Sequence, residues 1–182
     1  MNEKKYDLIL LLSGGYDSTL LAKLAIDMGA EILCLLFNYK QQHIQELEFA
    51  TNFCVSNNLD YAITQLSLPI SSNLTENKKT YEGVNPHHVP ARNLIFLSIA
   101  ASIAESKGID TIWYGANYED RELLFPDCYQ EWVYKLNELL AVNGSMKIKI
   151  EAPLLGMSKE TIKEMAKIFG ITNESIFSGY GE

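Results

Sequence analysis

Apolar residues follow two alternating rhythms along this chain. Compact runs of strand length lie at 7–12, 31–39 and 61–66, and the first two read as buried strands. Between them, 18–28 and 44–57 carry apolar residues at helical spacing. These are Leu20, Leu21, Leu24, Ala25 and Met28 in the first helix and Leu47, Ala50, Phe53 and Cys54 in the second. The order β-α-β-α-β predicts a doubly wound α/β fold, a parallel sheet with helices on both faces.

The rhythm breaks over 67–90, where Pro69, Asn73, Gly83, Pro86 and Pro90 mark a long irregular segment; loops of that length in small domains are commonly functional or mobile. It then resumes. An apolar helix is predicted over 91–107, closed by Gly108, then a strand over 110–115, a loop over 117–126 and a helix over 127–142 capped by Asp127. A short strand at 147–152 and a last helix over 158–169, with Ser158 as its cap, complete the pattern. The apolar helix after Arg92 is a candidate for a homodimer contact and equally for the core.

The 182 residues, 47% hydrophobic and 21% charged, suit one globular domain. A formal charge of −8 disfavours a duplex or tRNA as the main partner, because phosphate binding needs clustered Lys and Arg. A small anionic substrate stays compatible with a locally positive site. The apolar stretches at 8–12 and 94–104 are too short or too interrupted to span a bilayer, and no cleavage pattern follows the first residues. Cys34, Cys54 and Cys128 are odd in number and lack CxxC spacing, which excludes a disulfide framework or a four-Cys zinc site within the chain. The expected location is the cytosol, with no membrane and no nucleic acid as partner.

The first strand runs straight into Ser13-Gly14-Gly15-Tyr16-Asp17-Ser18 and a helix. Two glycines let backbone N–H groups turn inward, and the helix start adds free N–H groups and the positive end of its dipole. Ser13 and Ser18 add hydroxyls, so the loop reads as a polyanion cradle. It has neither the GxxxxGK[ST] spacing nor GxGxxG. Phe37 and Tyr39 end the second strand, where neighbouring strands of an open sheet face the ligand crevice. They offer an aromatic wall to adenine, or they form an ordinary strand end. Arg92 falls in a first helical turn, where a cation opposes the dipole; that placement suits an anionic ligand, or a surface arginine beside an acid. His87-His88 lacks a third ligand at useful spacing, and Cys128 reads as a small buried hydrophobe.

The 13–18 string resembles the SGGxDS signature of the PP-loop ATP pyrophosphatases. The resemblance implies a Rossmann-like, adenine nucleotide alpha hydrolase-like fold and a single such domain over 1–182. It also implies ATP and Mg²⁺ as cofactors, with cleavage between the α and β phosphates to adenylate a substrate. Four further segments resemble one branch, the 7-cyano-7-deazaguanine synthase (QueC-like) family. Phe37-Asn38-Tyr39-Lys40-Gln41-Gln42-His43 is similar to its FDYGQxH, and VPARNLIFLSIAA (89–101) to its VPxRNxxFLxxAA. FPDCYQEW (125–132) with Leu136-Asn137 is similar to its YPDCRxEFxxxLN. Pro153-Leu154 with Lys159-Glu160 is similar to its TPLxxxxKxE.

That family adenylates 7-carboxy-7-deazaguanine, lets ammonia form the amide, and activates the amide again to reach the nitrile. Carried onto this chain, the resemblance implies Ser13, Gly14, Gly15, Tyr16, Asp17 and Ser18 as the pyrophosphate site, with Asp17 at Mg²⁺. Asp17, Ser18, Arg92 and Lys159 are the candidate catalytic residues, with Arg92 and Lys159 as anion contacts. Arg92, Asp120 and Asp127 are the candidate substrate contacts. The family also has a terminal four-cysteine zinc site. Ser178 stands where its first cysteine would fall, which points to a fragment or to a form without zinc. Asn38, Lys40 and Tyr129 stand where the family has Asp, Gly and Arg. These departures motivate an alternative, a zinc-free relative of an antiviral system that joins a deazaguanine to a protein N-terminal amine; a further alternative, from a different class, is a non-catalytic nucleotide-binding subunit.

Overall fold

The computed structural model describes residues 5–41, 45–68, 89–122, 125–144, 146–172 and 176, with the backbone alone at 121 and 122. Gln42, His43, His87, His88, Ser178 and all but the ends of the 67–90 segment lie outside these residues.

Five parallel strands form one sheet in the order β3-β2-β1-β4-β5. They are β1 (Leu8–Leu11), β2 (Ile32–Asn38), β3 (Asp60–Gln65), β4 (Thr111–Trp113) and β5 (Lys149–Glu151). Alternate residues of each strand face opposite sides, and this splits the core in two. Leu8, Leu10 and Leu12 pack with residues of α1 (Tyr16–Asp27), α2 (Gln45–Ser56) and α6 (Lys159–Ile168). Ile9 packs on the other face with α3 (Arg92–Lys107) and α5 (Gln130–Asn143). The expected doubly wound sheet with helices on both faces is what the chain adopts. Phe96, Leu97, Ala100, Ala101 and Ala104 of α3 are buried in the core.

The chain winds from β1 outward through β2 to β3, then crosses back through α3 to β4 on the opposite side of β1. The winding of the chain therefore reverses between β1 and β4, while the strands stay parallel. A crevice opens at the carboxyl ends of strands flanking such a reversal, and the 13–18 loop lies there.

Two expectations change. The loop predicted over 117–126 contains a short helix, α4 (Tyr118–Glu122), and a 3-10 turn at Pro126–Cys128. Asn117 Oδ1 accepts from Asp120 N at 3.0 Å, the bond of a helix cap; a five-residue helix is too short to show an apolar period. Asp127 does not cap α5. Pro126 opens the 3-10 turn, which delays the helix until Gln130 and leaves Tyr129 at its N-cap. Ser158 does cap α6, accepting from Thr161 N at 3.1 Å.

Lys40, the residue found where the resemblance has glycine, sits at φ +59°. The turn is held by Lys40 N donating to Asn38 Oδ1 at 3.3 Å and Tyr39 N donating to Gln41 Oε1 at 3.0 Å. Left-handed backbone costs a non-glycine residue about 1–2 kcal/mol, partly offset by the larger chain entropy that glycine loses on folding. Lys40→Gly is therefore expected to stabilise the protein by roughly 0.5–1 kcal/mol, read from the midpoint of urea unfolding; a lower midpoint would contradict the strain.

Candidate active site

The site grows from the turn between β1 and α1. Gly14 is buried at φ +89°, and a Cβ there would lie 2.4 Å from the backbone oxygen of Glu46 on α2. Only glycine lets α2 back the loop this closely. Gly15 is the N-cap of α1 in extended backbone, and no side chain caps the first turn. Its N–H groups and dipole thus face the crevice, as an anion site requires.

The two serines divide their work. Ser13 is exposed at the loop surface, whereas Ser18 is buried. Ser18 Oγ accepts from Ser13 N at 3.1 Å, lies 3.0 Å from Ser13 Oγ, and donates to Gly15 O at 3.3 Å. Its hydroxyl ties the two ends of the loop together and so sets the loop's shape.

The second wall comes from the end of β4 and the start of α6. Gly115 brings its backbone so close to α1 that a Cβ would lie 3.1 Å from Asp17 Cβ and 3.3 Å from Ser18 N. Two residues on, Asn117 is fully buried. Its Nδ2 donates to Asp17 Oδ2 at 2.8 Å and to Asp120 Oδ2 at 2.9 Å. Lys159, the first residue of α6, places its Nζ 2.7 Å from Asp120 Oδ1, while its backbone N donates to Glu119 Oε1 at 2.9 Å.

The third wall is aromatic. Phe37 stacks on Phe96 at 4.0 Å, and Tyr39 tilts against the same ring at 5.4 Å. Arg92 donates from its guanidinium to Tyr39 Oη at 3.2 Å and lies 5.8 Å from that ring's centre. One face of Phe37 is thus taken by Phe96, and the guanidinium stays at the cavity against Tyr39.

These walls enclose a cavity of about 520 Å³. Ser13, Gly15, Tyr16, Asp17 and Ser18 line it, as do Phe37, Tyr39, Arg92, Asp120 and Lys159. Gly14 stands behind it. Asp127 is bound elsewhere: its carboxylate accepts from Asn93 Nδ2 at 2.5 Å, and its carbonyl accepts from Tyr114 Oη at 2.6 Å. Asn93 itself lines the cavity, so Asp127 orients a wall residue. Gly115, Asn117, Asn93 and Phe96 were not singled out from sequence. The strand-end rule that marked Phe37 and Tyr39 also marks the end of β4, and would have found Gly115 and Asn117.

Charges at the 13–18 end of the cavity are mixed. Burial raises the Asp17 carboxyl above its ordinary value; the Asn117 hydrogen bond pulls it down, Asp120 pushes it up and Lys159 pulls it down. Burial pulls the Lys159 ammonium down, but its hydrogen bond to Asp120 and the negative charges of Asp120, Asp17 and Glu119 together raise it. Burial also raises the Tyr39 phenol, against the pull of Arg92. Among the described residues no three His, Cys, Asp or Glu side chains gather as a metal site. The cavity instead offers the Asp17 carboxylate with Asp120 beside it. Mg²⁺ in nucleotide sites needs only one or two carboxylates beside substrate phosphates, so this donor set fits that ion.

No helix among the described residues is long and apolar enough to cross a membrane. A sequence profile of the family described as "Queuosine biosynthesis protein QueC" matches residues 7–182. The chain is 34% identical over 187 residues to a 7-cyano-7-deazaguanine synthase of Nitratiruptor sp., covering 94% of this chain and 83% of that protein. It is also 34% identical over 197 residues to the synthase of that name from Prochlorococcus marinus subsp. pastoris, covering 99% and 87%. Among solved structures, it resembles the NH3-dependent NAD synthetase of Campylobacter jejuni with a TM-score of 0.59 and 20% identity over 99% of this chain and 71% of that one. The U34-tRNA thiolase NcsA of Methanococcus maripaludis gives 0.65 and 17% over 98% and 61%. These structural likenesses show the fold alone, an adenine nucleotide alpha hydrolase-like parallel α/β sheet.

Proposed function

Because the chain belongs to the QueC queuosine-biosynthesis family, we propose that it is an ATP-dependent enzyme of 7-cyano-7-deazaguanine synthase type. It adenylates the carboxylate of 7-carboxy-7-deazaguanine, and ammonia then takes the acyl group to give the amide on the way to the nitrile. One observation carries this reading. A single cavity joins the 13–18 loop, the carboxylates of Asp17 and Asp120, and the cations Arg92 and Lys159 to an aromatic wall.

The chemistry each group would supply follows from its place. The α1 N-terminus and the 13–18 backbone hold the pyrophosphate portion of ATP. Phe37, Tyr39 and Phe96 provide an apolar wall for a flat heterocycle. Arg92, with its guanidinium held on Tyr39, pairs with an anionic group of either substrate. Asp17 would hold Mg²⁺, which when bound neutralises charge on the phosphates. The remaining work is placement: the acid's oxygen in line with the α phosphorus, with pyrophosphate leaving toward Lys159. Ammonia then attacks the acyl carbon and AMP leaves.

The test is direct. The protein is incubated with ATP, Mg²⁺, 7-carboxy-7-deazaguanine and ammonium, and AMP, pyrophosphate and product mass are read. Acid-dependent AMP release with the amide or nitrile mass is the expected result. AMP release without either mass, together with a mass gain on an added protein, would move the acceptor from ammonia to a protein amine. No acid-dependent AMP would overturn the reading and favour a subunit that only binds nucleotide.

A further inference from the structure

Asn117 is fully buried, yet it is a polar residue bonded to two residues that line the cavity, one of them, Asp17, one hundred residues away along the chain. Its amide nitrogen has two protons, and both are used on carboxylates: Asp17 Oδ2 at 2.8 Å and Asp120 Oδ2 at 2.9 Å. Its amide oxygen accepts from Asp120 N at 3.0 Å. The orientation is therefore determined. A flipped amide would aim its oxygen at two carboxylates and its NH₂ at a backbone N–H. Asp120 in turn binds Lys159 Nζ at 2.7 Å. A continuous chain of hydrogen bonds thus runs Asp17, Asn117, Asp120, Lys159, from the start of α1 to the start of α6.

Two carboxylates held together repel one another, and each would otherwise swing toward water. A single NH₂ group between them removes that freedom. It ties one oxygen of Asp17, a residue that lines the cavity, and keeps the Lys159 ammonium fixed through Asp120. Bonds of this kind, made to the residues that bind rather than to the ligand, set orientation in metal and phosphate sites.

We infer that Asn117 is a positioning residue for the ATP–Mg²⁺ end of the site, holding Asp17 and Asp120 in one arrangement and, through Asp120, Lys159 over the phosphates. This rests on the proposed function, and it assigns Asp120 to the phosphate end of the cavity beside its candidacy as a substrate contact.

The experiment measures Asn117→Ala and Asp120→Ala beside the parent protein, with circular dichroism and thermal melting to establish folding. Two quantities are read. The first is kcat and KM for ATP-dependent AMP formation. The second needs no turnover: binding of Mn²⁺ in the presence of α,β-methylene ATP, followed by electron paramagnetic resonance. Outer residues of this type typically contribute about 10–100-fold in metal affinity or activity. Asn117→Ala is expected to weaken Mn²⁺ binding and lower kcat within that range, with KM for the deazaguanine acid nearly unchanged. Asp120→Ala, at a half-buried side chain, is expected to weaken Mn²⁺ binding likewise and remains informative if the buried substitution prevents folding. A folded Asn117→Ala protein, or an Asp120→Ala protein, whose Mn²⁺ affinity stays within about two-fold of the parent overturns the inference. A parent protein with no acid-dependent AMP formation but tight Mn²⁺–nucleotide binding, lost in both variants, would leave the positioning role standing and remove only the proposed reaction.

Discussion

Asp17→Asn is expected to lower ATP-dependent AMP formation by about 10³-fold, several kcal/mol of charge stabilisation, while raising the melting temperature of the ligand-free protein. Both effects come from one carboxylate. Burial raises its pKa above the ordinary 3.8, and Asp120 adds to that; Asn117 and Lys159 oppose without reversing it. A raised carboxyl pKa means that the folded protein holds this proton more tightly than the unfolded chain does. Ionising Asp17 therefore costs folding stability. The cost is absent below 3.8, grows as pH rises from there to the raised value, and is complete above it. The amide of the Asn variant still accepts from Asn117 Nδ2 and carries no charge, so its gain in stability should be present at neutral pH and vanish in acid. Melting curves at several pH values and AMP assays on the same protein check this. A variant less stable than the parent at neutral pH would show that the carboxylate is held by attractions stronger than its burial.

Gly14→Ala should be the most damaging single change in the loop. The new Cβ would meet the Glu46 carbonyl at 2.4 Å, well inside contact distance, and the atom it meets is backbone, which cannot turn aside. The position also holds φ +89°. Left-handed strain of about 1–2 kcal/mol and overpacking of about 1–3 kcal/mol add to roughly 2–5 kcal/mol of lost stability. Relief by sliding α2 away would open the loop that α2 backs, so protein that does fold should bind ATP far more weakly. Urea unfolding and ATP titration read the two effects separately. Unchanged stability with unchanged ATP binding would mean that α2 does not back the loop.

The residues legible from sequence at the site were those whose signal is contiguous. The 13–18 loop joins a strand to a helix within six residues, so its glycines and serines announce themselves. Phe37, Tyr39 and Arg92 were legible because a strand end and a helix start each have a known relation to the crevice of an open sheet. Asp127 shows the opposite. Beside Pro126 it has the local character of a helix cap, and only the fold reveals Asn93, on another helix, as its partner. Lys40 is similar: a lysine carries no mark of left-handed backbone, which the closing of its turn imposes.

By itself, the sequence determined the α/β class, the parallel sheet covered on both faces and the glycine turn at 13–18 between a strand and a helix. It could do so because the two- and 3.6-residue periods of burial, and the backbone freedom of two adjacent glycines, are local properties of the chain. Only the tertiary structure decided which acid stands beside Asp17, that one buried amide binds both, and that Lys159 is held by Asp120. Those contacts join segments far apart in the chain, and the reversal of strand order between β1 and β4 brings them together at the carboxyl end of the sheet.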